Sequence, residues 1–198
     1  MNSWKLFSDY NVMSPKWPSR INLRTSFTGR VNLLNCAWPL WNISAANTTN
    51  GDTVLNRDFR EFIEFLKANG VRYLVVGGYA LAVHGHPRYT KDLDVWIERT
   101  PENARQLIQA LDQFGFRLEN LKAEDFLQPD QIIQLGFPPV RIDLLTSLTG
   151  LDFPSCHNRR IEVDLEGLKV DFIGLEDLKK SKLAAGRLQD LADLESLS

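Results

Sequence analysis

Cysteine is scarce in this chain: Cys36 and Cys156 are the two, far apart and outside any CxxC spacing. Thiols so placed give no support to a disulfide framework or a zinc site, and they suit a reducing compartment. Charge of one sign is also missing, the formal net value being -2. A protein that grips long nucleic acid through its phosphates carries a basic surface, so that role is disfavoured, while a local basic patch is compatible with the balance. No apolar run approaches the ~18 residues of a membrane span. The opening stretch MNSWKLFSDYNVMSPKWPSR lacks the apolar centre of a secretory signal. A cytoplasmic protein with no membrane partner is expected.

What is present is the composition of a soluble globular domain, 198 residues with 43% hydrophobic and 24% charged. The character changes near residue 52. Residues 1–52 hold four of the five tryptophans and eight asparagines, with five basic against two acidic side chains. They show neither helical nor strand periodicity, and a poorly ordered extension is expected there, with a true start near Val54 as a corollary. Residues 53–198 form the expected domain.

Within that domain Phe59, Phe62, Ile63 and Leu66 recur at helical spacing and Gly70 supplies a stop. RYLVVG reads as a buried strand, YALAVHG as a short helix and LDVWIE as a strand. TPENARQLIQALDQFG is a helix with Thr100 as cap and Pro101 at its first position. QIIQLGF and VRIDLLT form an expected antiparallel pair, and RRIEVDL with LKVDFIG a hairpin about Glu166 and Gly167. The last segment, from Leu175, is helical with a break near Gly186. These elements predict an α/β (α+β) domain with a small mixed sheet and flanking helices.

Two aspartates interrupt the strand pattern. Asp92 and Asp94 stand at i and i+2, so both leave the same face while Leu93 and Val95 enter the core. Carboxylates held that close repel unless a positive charge lies between them, and magnesium, which takes hard oxygen ligands and substrate phosphates, is the usual one. Gly77 and Gly78 sit where a strand becomes a helix, and bare backbone at a helix start lets a phosphate approach. Asp143, a further aspartate in an apolar strand, is the candidate third carboxylate of a two-metal arrangement. Other sharp motifs are missing: there is no GxxxxGK[ST] and no GxGxxG after a strand. His84 and His86 lack further ligands at metal spacing and read as loop packing.

Gly77-Gly78, the run Thr90-Lys91-Asp92-Leu93-Asp94 and Asp143 resemble the signature of the polymerase-β-type nucleotidyltransferase superfamily. GGYALAVHGHPRYTKDLDVWI with KLAAGRLQDLADLESL resembles the AbiEii-like minimal nucleotidyltransferases within it, which include toxins of type IV toxin–antitoxin systems. The resemblance covers roughly residues 57–197. It implies a polymerase-β-like fold, a triphosphate on the glycine turn, and Mg2+ or Mn2+ on Asp92, Asp94 and Asp143. It also implies functional positions at Lys182 and Asp190, with Arg187 and Asp193 as neighbours. Gly78 departs from the serine that many superfamily members carry there. Arg88, Lys91 and Arg187 are candidates to meet phosphate, the plain alternative being solvated surface charges, and Thr90 either touches the nucleotide or caps its loop. The function so implied is transfer of a nucleoside monophosphate from an NTP to RNA or protein, with an antitoxin as a candidate partner. The rival is an inactive binding module, or an antitoxin component, that keeps the fold.

Overall fold

The computed structural model describes residues 22–26, 30–34, 55–116, 121–137 and 140–197, the first two stretches as backbone strands. Those strands, β1 (Asn22–Ser26) and β2 (Arg30–Leu34), pair antiparallel. They are what is described of residues 1–52; the expectation of an unordered extension otherwise lies outside the described residues, as does Cys36.

Helix α1 (Arg57–Ala68) starts where Asn56 accepts the Asp58 amide at 2.9 Å, and it buries Phe59, Phe62, Ile63 and Leu66. Strand β3 (Tyr73–Val75) leads into α2 (Gly77–Val83), followed by β4 (Asp92–Ile97) and α3 (Pro101–Phe114). α3 is capped by the Thr100 hydroxyl and ended by Gly115 in a left-handed conformation. A 3-10 turn (Ala123–Leu127) precedes β5 (Ile132–Phe137) and β6 (Val140–Leu145). Then come α4 (Phe153–Asn158), the hairpin β7 (Ile161–Leu165) and β8 (Leu168–Phe172), and helices α5 (Leu175–Ala185) and α6 (Leu188–Ser196). Gly186, with φ 62°, makes the corner between the last two.

The sheet runs β1-β2-β5-β6-β4-β3-β8-β7, six of its strands coming from residues 73–172. It is mixed: β4 lies parallel to β6, and β3 parallel to β8, while β3–β4, β5–β6 and β7–β8 are antiparallel. The expected pairs β5–β6 and β7–β8 are both present. α1 and α3 pack through Phe62 and Phe65 against Phe114, with ring centroids 5.2 and 5.8 Å apart. Leu93 and Val95 are fully buried, so the opposite face of β4 carries Asp92, Asp94 and then Trp96, whose ring meets Phe153 edge-on at 5.0 Å. That alternation sets the aspartates outside the apolar core. No described helix is long and apolar enough to cross a membrane.

Candidate active site

The parallel register of β4 and β6 sets Asp94 beside Asp143 and Asp92 beside Arg141, while β5 sets Gln134 beside Asp143. Neighbours in register share a face, so one row across the sheet reads Gln134, Asp143, Asp94 and the next reads Gly136, Arg141, Asp92. The three aspartates singled out by sequence thus gather on one face.

A residue not singled out stands among them. Arg141 donates from Nε to Asp143 Oδ1 at 2.7 Å, and from Nη2 to Asp92 Oδ2 at 2.5 Å and Asp143 Oδ2 at 3.1 Å. Gln134 Nε2 adds a bond to Asp143 Oδ2 at 3.2 Å. The signal for Arg141 lay in VRIDLLT: Arg141 and Asp143 are two apart on a strand and must share a face.

Counter-charge is nevertheless short. Asp92 Oδ1 is buried with no hydrogen-bond partner, and no described residue donates a hydrogen bond to the Asp94 carboxylate. Burial first, then the charges of Asp143 and Asp92, push Asp94 up to about 7. Asp92 is raised as well, chiefly by burial, with Arg141 opposing the rise. Among the described residues no group of three or more His, Cys, Asp or Glu side chains is so placed that it could hold a metal ion. The chemistry of the site still fits a hard divalent cation: an orphaned carboxylate oxygen, a second carboxylate without a donor, and a third on the same face.

The glycine turn faces this cluster. Gly77 adopts φ 63°, and a Cβ there would stand 2.7 Å from Asp94 Cγ. A Cβ on Gly78 would stand 2.7 Å from Thr90 Cβ. Both glycines are therefore required by the close approach of Asp94 and Thr90 themselves, in addition to whatever they offer a phosphate. Helix α2 begins at Gly77, two residues before the start expected at Tyr79, because the pair of residues least suited to a helix interior serves as its first turn. Gly77→Ala combines a left-handed φ with a steric conflict at Asp94; a loss of about 1–3 kcal/mol in urea unfolding is expected. Unchanged stability would mean that the turn relaxes freely.

The remaining expected residues fall in two groups. Thr90 donates to the Asp92 carbonyl at 3.2 Å and Lys91 is exposed beside Asp92, so both border the cluster. Lys182, Asp190 and Asp193 are 5, 2 and 3% exposed and form a buried ion-pair network at the α5–α6 corner. Lys182 Nζ meets Asp193 at 2.5 Å and Asp190 at 3.3 Å. Arg88 grips Asp193 with Nε at 2.9 Å and Nη2 at 3.2 Å, tying the loop before β4 to α6. Arg187 bonds Asp190 at 2.6 Å, and its charge reaches Asp94. Burial raises Asp190 and Asp193, but hydrogen bonds and charges from these cations outweigh it and hold both below the ordinary carboxylate value. Lys182 thus points its ammonium inward, and Arg88 and Arg187 are held by α6. His84 Nε2 contacts the Ile173 carbonyl at 2.9 Å, in keeping with a packing role.

The mixed sheet thus presents three strand carboxylates to a strand–glycine–helix turn. The chain belongs to the family described as "Nucleotidyltransferase of unknown function (DUF6036)", whose model matches residues 54–198. No curated protein matches the chain. Among solved structures, a protein of Thermotoga maritima assigned to the nucleotidyltransferases is similar at 17% identity and TM-score 0.49, over 71% of this chain and 89% of its own. An antigenic nucleotidyltransferase-like protein of Paracoccidioides brasiliensis is similar at 20% identity and TM-score 0.45, over 73% of this chain and 77% of its own. The lincosamide antibiotic adenylyltransferase LnuA, solved with lincomycin, is similar at 14% identity and TM-score 0.45, over 74% of this chain and 98% of its own.

Proposed function

We propose that this protein is a divalent-cation-dependent nucleotidyltransferase that moves a nucleoside monophosphate from an NTP to an acceptor hydroxyl on RNA or protein. The observation that carries the reading is the meeting of Asp92, Asp94 and Asp143 on one sheet face, with Asp92 Oδ1 unsatisfied, beside the Gly77–Gly78 turn. Asp92, Asp94 and Asp143 would hold Mg2+ or Mn2+, which when bound supplies charge neutralisation at the phosphates and a fixed position for the attacking oxygen. The acceptor oxygen forms a bond to the α-phosphorus and its proton passes to solvent, while the bond from the α-phosphorus to the bridging oxygen breaks and pyrophosphate leaves with that electron pair.

The chain's own residues orient the reactants. The turn at Gly77 carries no side-chain cap, which leaves its first backbone amides without a side-chain acceptor. Thr90 and Lys91 border Asp92, and Arg187 lies near enough to bias Asp94. Lys182 and Asp190 act by fixing Arg187 and, through Asp193, Arg88. The toxin role, with an antitoxin partner, belongs to this proposal on the sequence resemblance alone.

The rival, an inactive binding module, has one observation on its side: Arg141 already bridges two of the three carboxylates. Titration of each NTP into the protein with and without Mg2+ separates the readings. Cation-dependent NTP binding with pyrophosphate release on adding total RNA or protein is expected. Tight binding that ignores Mg2+ and yields no pyrophosphate would favour the rival.

A further inference from the structure

We propose that Arg141 is a surrogate cation: it occupies the place between Asp92 and Asp143 in the cation-free protein, and yields it when nucleotide phosphates arrive to receive its guanidinium. This rests on the nucleotidyltransferase reading of the site and adds the residue that couples its two ligands.

Arg141 is the one described cation that bonds two of the three site carboxylates, through three hydrogen bonds of 2.5–3.1 Å. Of the other cations nearby, Arg88 is engaged with Asp193, Arg187 with Asp190 and Lys182 with both of those aspartates, while Lys91 is exposed beside Asp92 and bonds none of the three carboxylates. With all three site carboxylates ionised, three negative charges against one guanidinium leave two, the charge of one divalent cation. A cation that takes oxygens from both Asp92 and Asp143 competes with Arg141 for those oxygens.

The displaced guanidinium then needs an anion. Its planar fork matches a phosphate as well as a carboxylate. Without nucleotide, release of Arg141 leaves a partly buried charge unpaired; with nucleotide, Arg141 exchanges one anion for another. Cation and nucleotide must therefore strengthen each other's binding, by the same factor in both directions. In this scheme Arg141 holds Asp92 and Asp143 in the cation-free protein and meets the nucleotide phosphates in the loaded one.

The test is Mn2+ titration of the full chain, followed by the electron paramagnetic resonance signal of free Mn2+, on the natural protein, Arg141→Gln and Arg141→Lys, without nucleotide. Arg141→Gln is expected to bind Mn2+ about tenfold more tightly than the natural protein, the size of effect one charge-assisted contact controls. Its melting temperature should drop in EDTA and be restored by Mn2+, which a merely structural arginine would not produce. Arg141→Lys keeps the charge and loses the fork, so its Mn2+ affinity should lie between the two; should Arg141→Gln fail to fold, this comparison decides. Affinity equal to or weaker than natural in the folded variants overturns the proposal. A mixture of four non-hydrolysable NTP analogues separates the two readings. If it induces Mn2+ binding to the natural protein while neither Arg141 variant gains affinity alone, only the role of Arg141 falls; if Mn2+ binds nowhere, the cation-dependent function falls with it.

Discussion

Asp94→Asn is expected to lower nucleotide transfer by roughly 10³-fold, the loss typical of removing one preorganised charge-stabilising group from a phosphoryl-transfer site. The substitution keeps the shape of the side chain against Gly77, where a Cβ would already meet the Asp94 carboxylate, so the turn and β4 should be undisturbed. Stability supplies an independent readout. Asp94 sits at about 7 in the folded protein against an ordinary 3.8, so folding favours its protonated form. The stability it contributes is complete below pH ~4 and is lost as pH rises through about 7. Asparagine does not ionise. In EDTA the variant should therefore be more stable than the natural protein at pH 8, with a flatter profile between pH 4 and 7, part of the slope persisting because Asp92 is raised too. Full Mg2+-dependent transfer by Asp94→Asn would overturn the assignment, and an unchanged pH profile would remove the electrostatic account of the cluster.

Lys182→Ala is expected to cost about 3–5 kcal/mol, the usual consequence of leaving buried carboxylates without their cation. Lys182 is the shared partner of Asp190 and Asp193, all three being nearly inaccessible to solvent. For a chain of this size the melting temperature should fall by roughly 10 °C or more. Lys179 and Lys180 lie on the same helix but reach Glu176 and Asp177 only at 3.9 Å, so their alanine variants should stay within about 0.5 kcal/mol of the natural protein. Loss of NTP affinity in Lys182→Ala, measured at a temperature where it is folded, should exceed that in the other two, because Arg88 and Arg187 lose their anchorage. Equal, small effects from all three lysines would mean that the network is not what holds the loop.

The long helices were legible because their apolar residues repeat with the helical period and their ends carry Gly70, Thr100 and Pro101. The strand aspartates were legible for a related reason: the pleat dictates that Asp92 and Asp94 share a face whatever the tertiary fold. The 3-10 turn at Ala123–Leu127 and the helix Phe153–Asn158 were not, since one turn of helix has too few residues to establish a period. Arg141 could have been read from alternation, but only the register of β4 against β6 brings it opposite Asp92. Lys182 was singled out by resemblance as a functional position, the plain alternative being a helix-surface charge. Its burial depends on the Gly186 corner folding α6 back over α5, and no local pattern encodes that contact.

The Arg88–Asp193 clamp joins residues 105 positions apart, and its acidic half lies on the last helix. During synthesis the strand aspartates and the glycine turn are all made well before Asp193. Closing so long a stretch of chain carries an entropy cost that only docking of α6 repays. A growing chain can therefore possess its three carboxylates while the loop that carries Arg88 still lacks its anchor on α6.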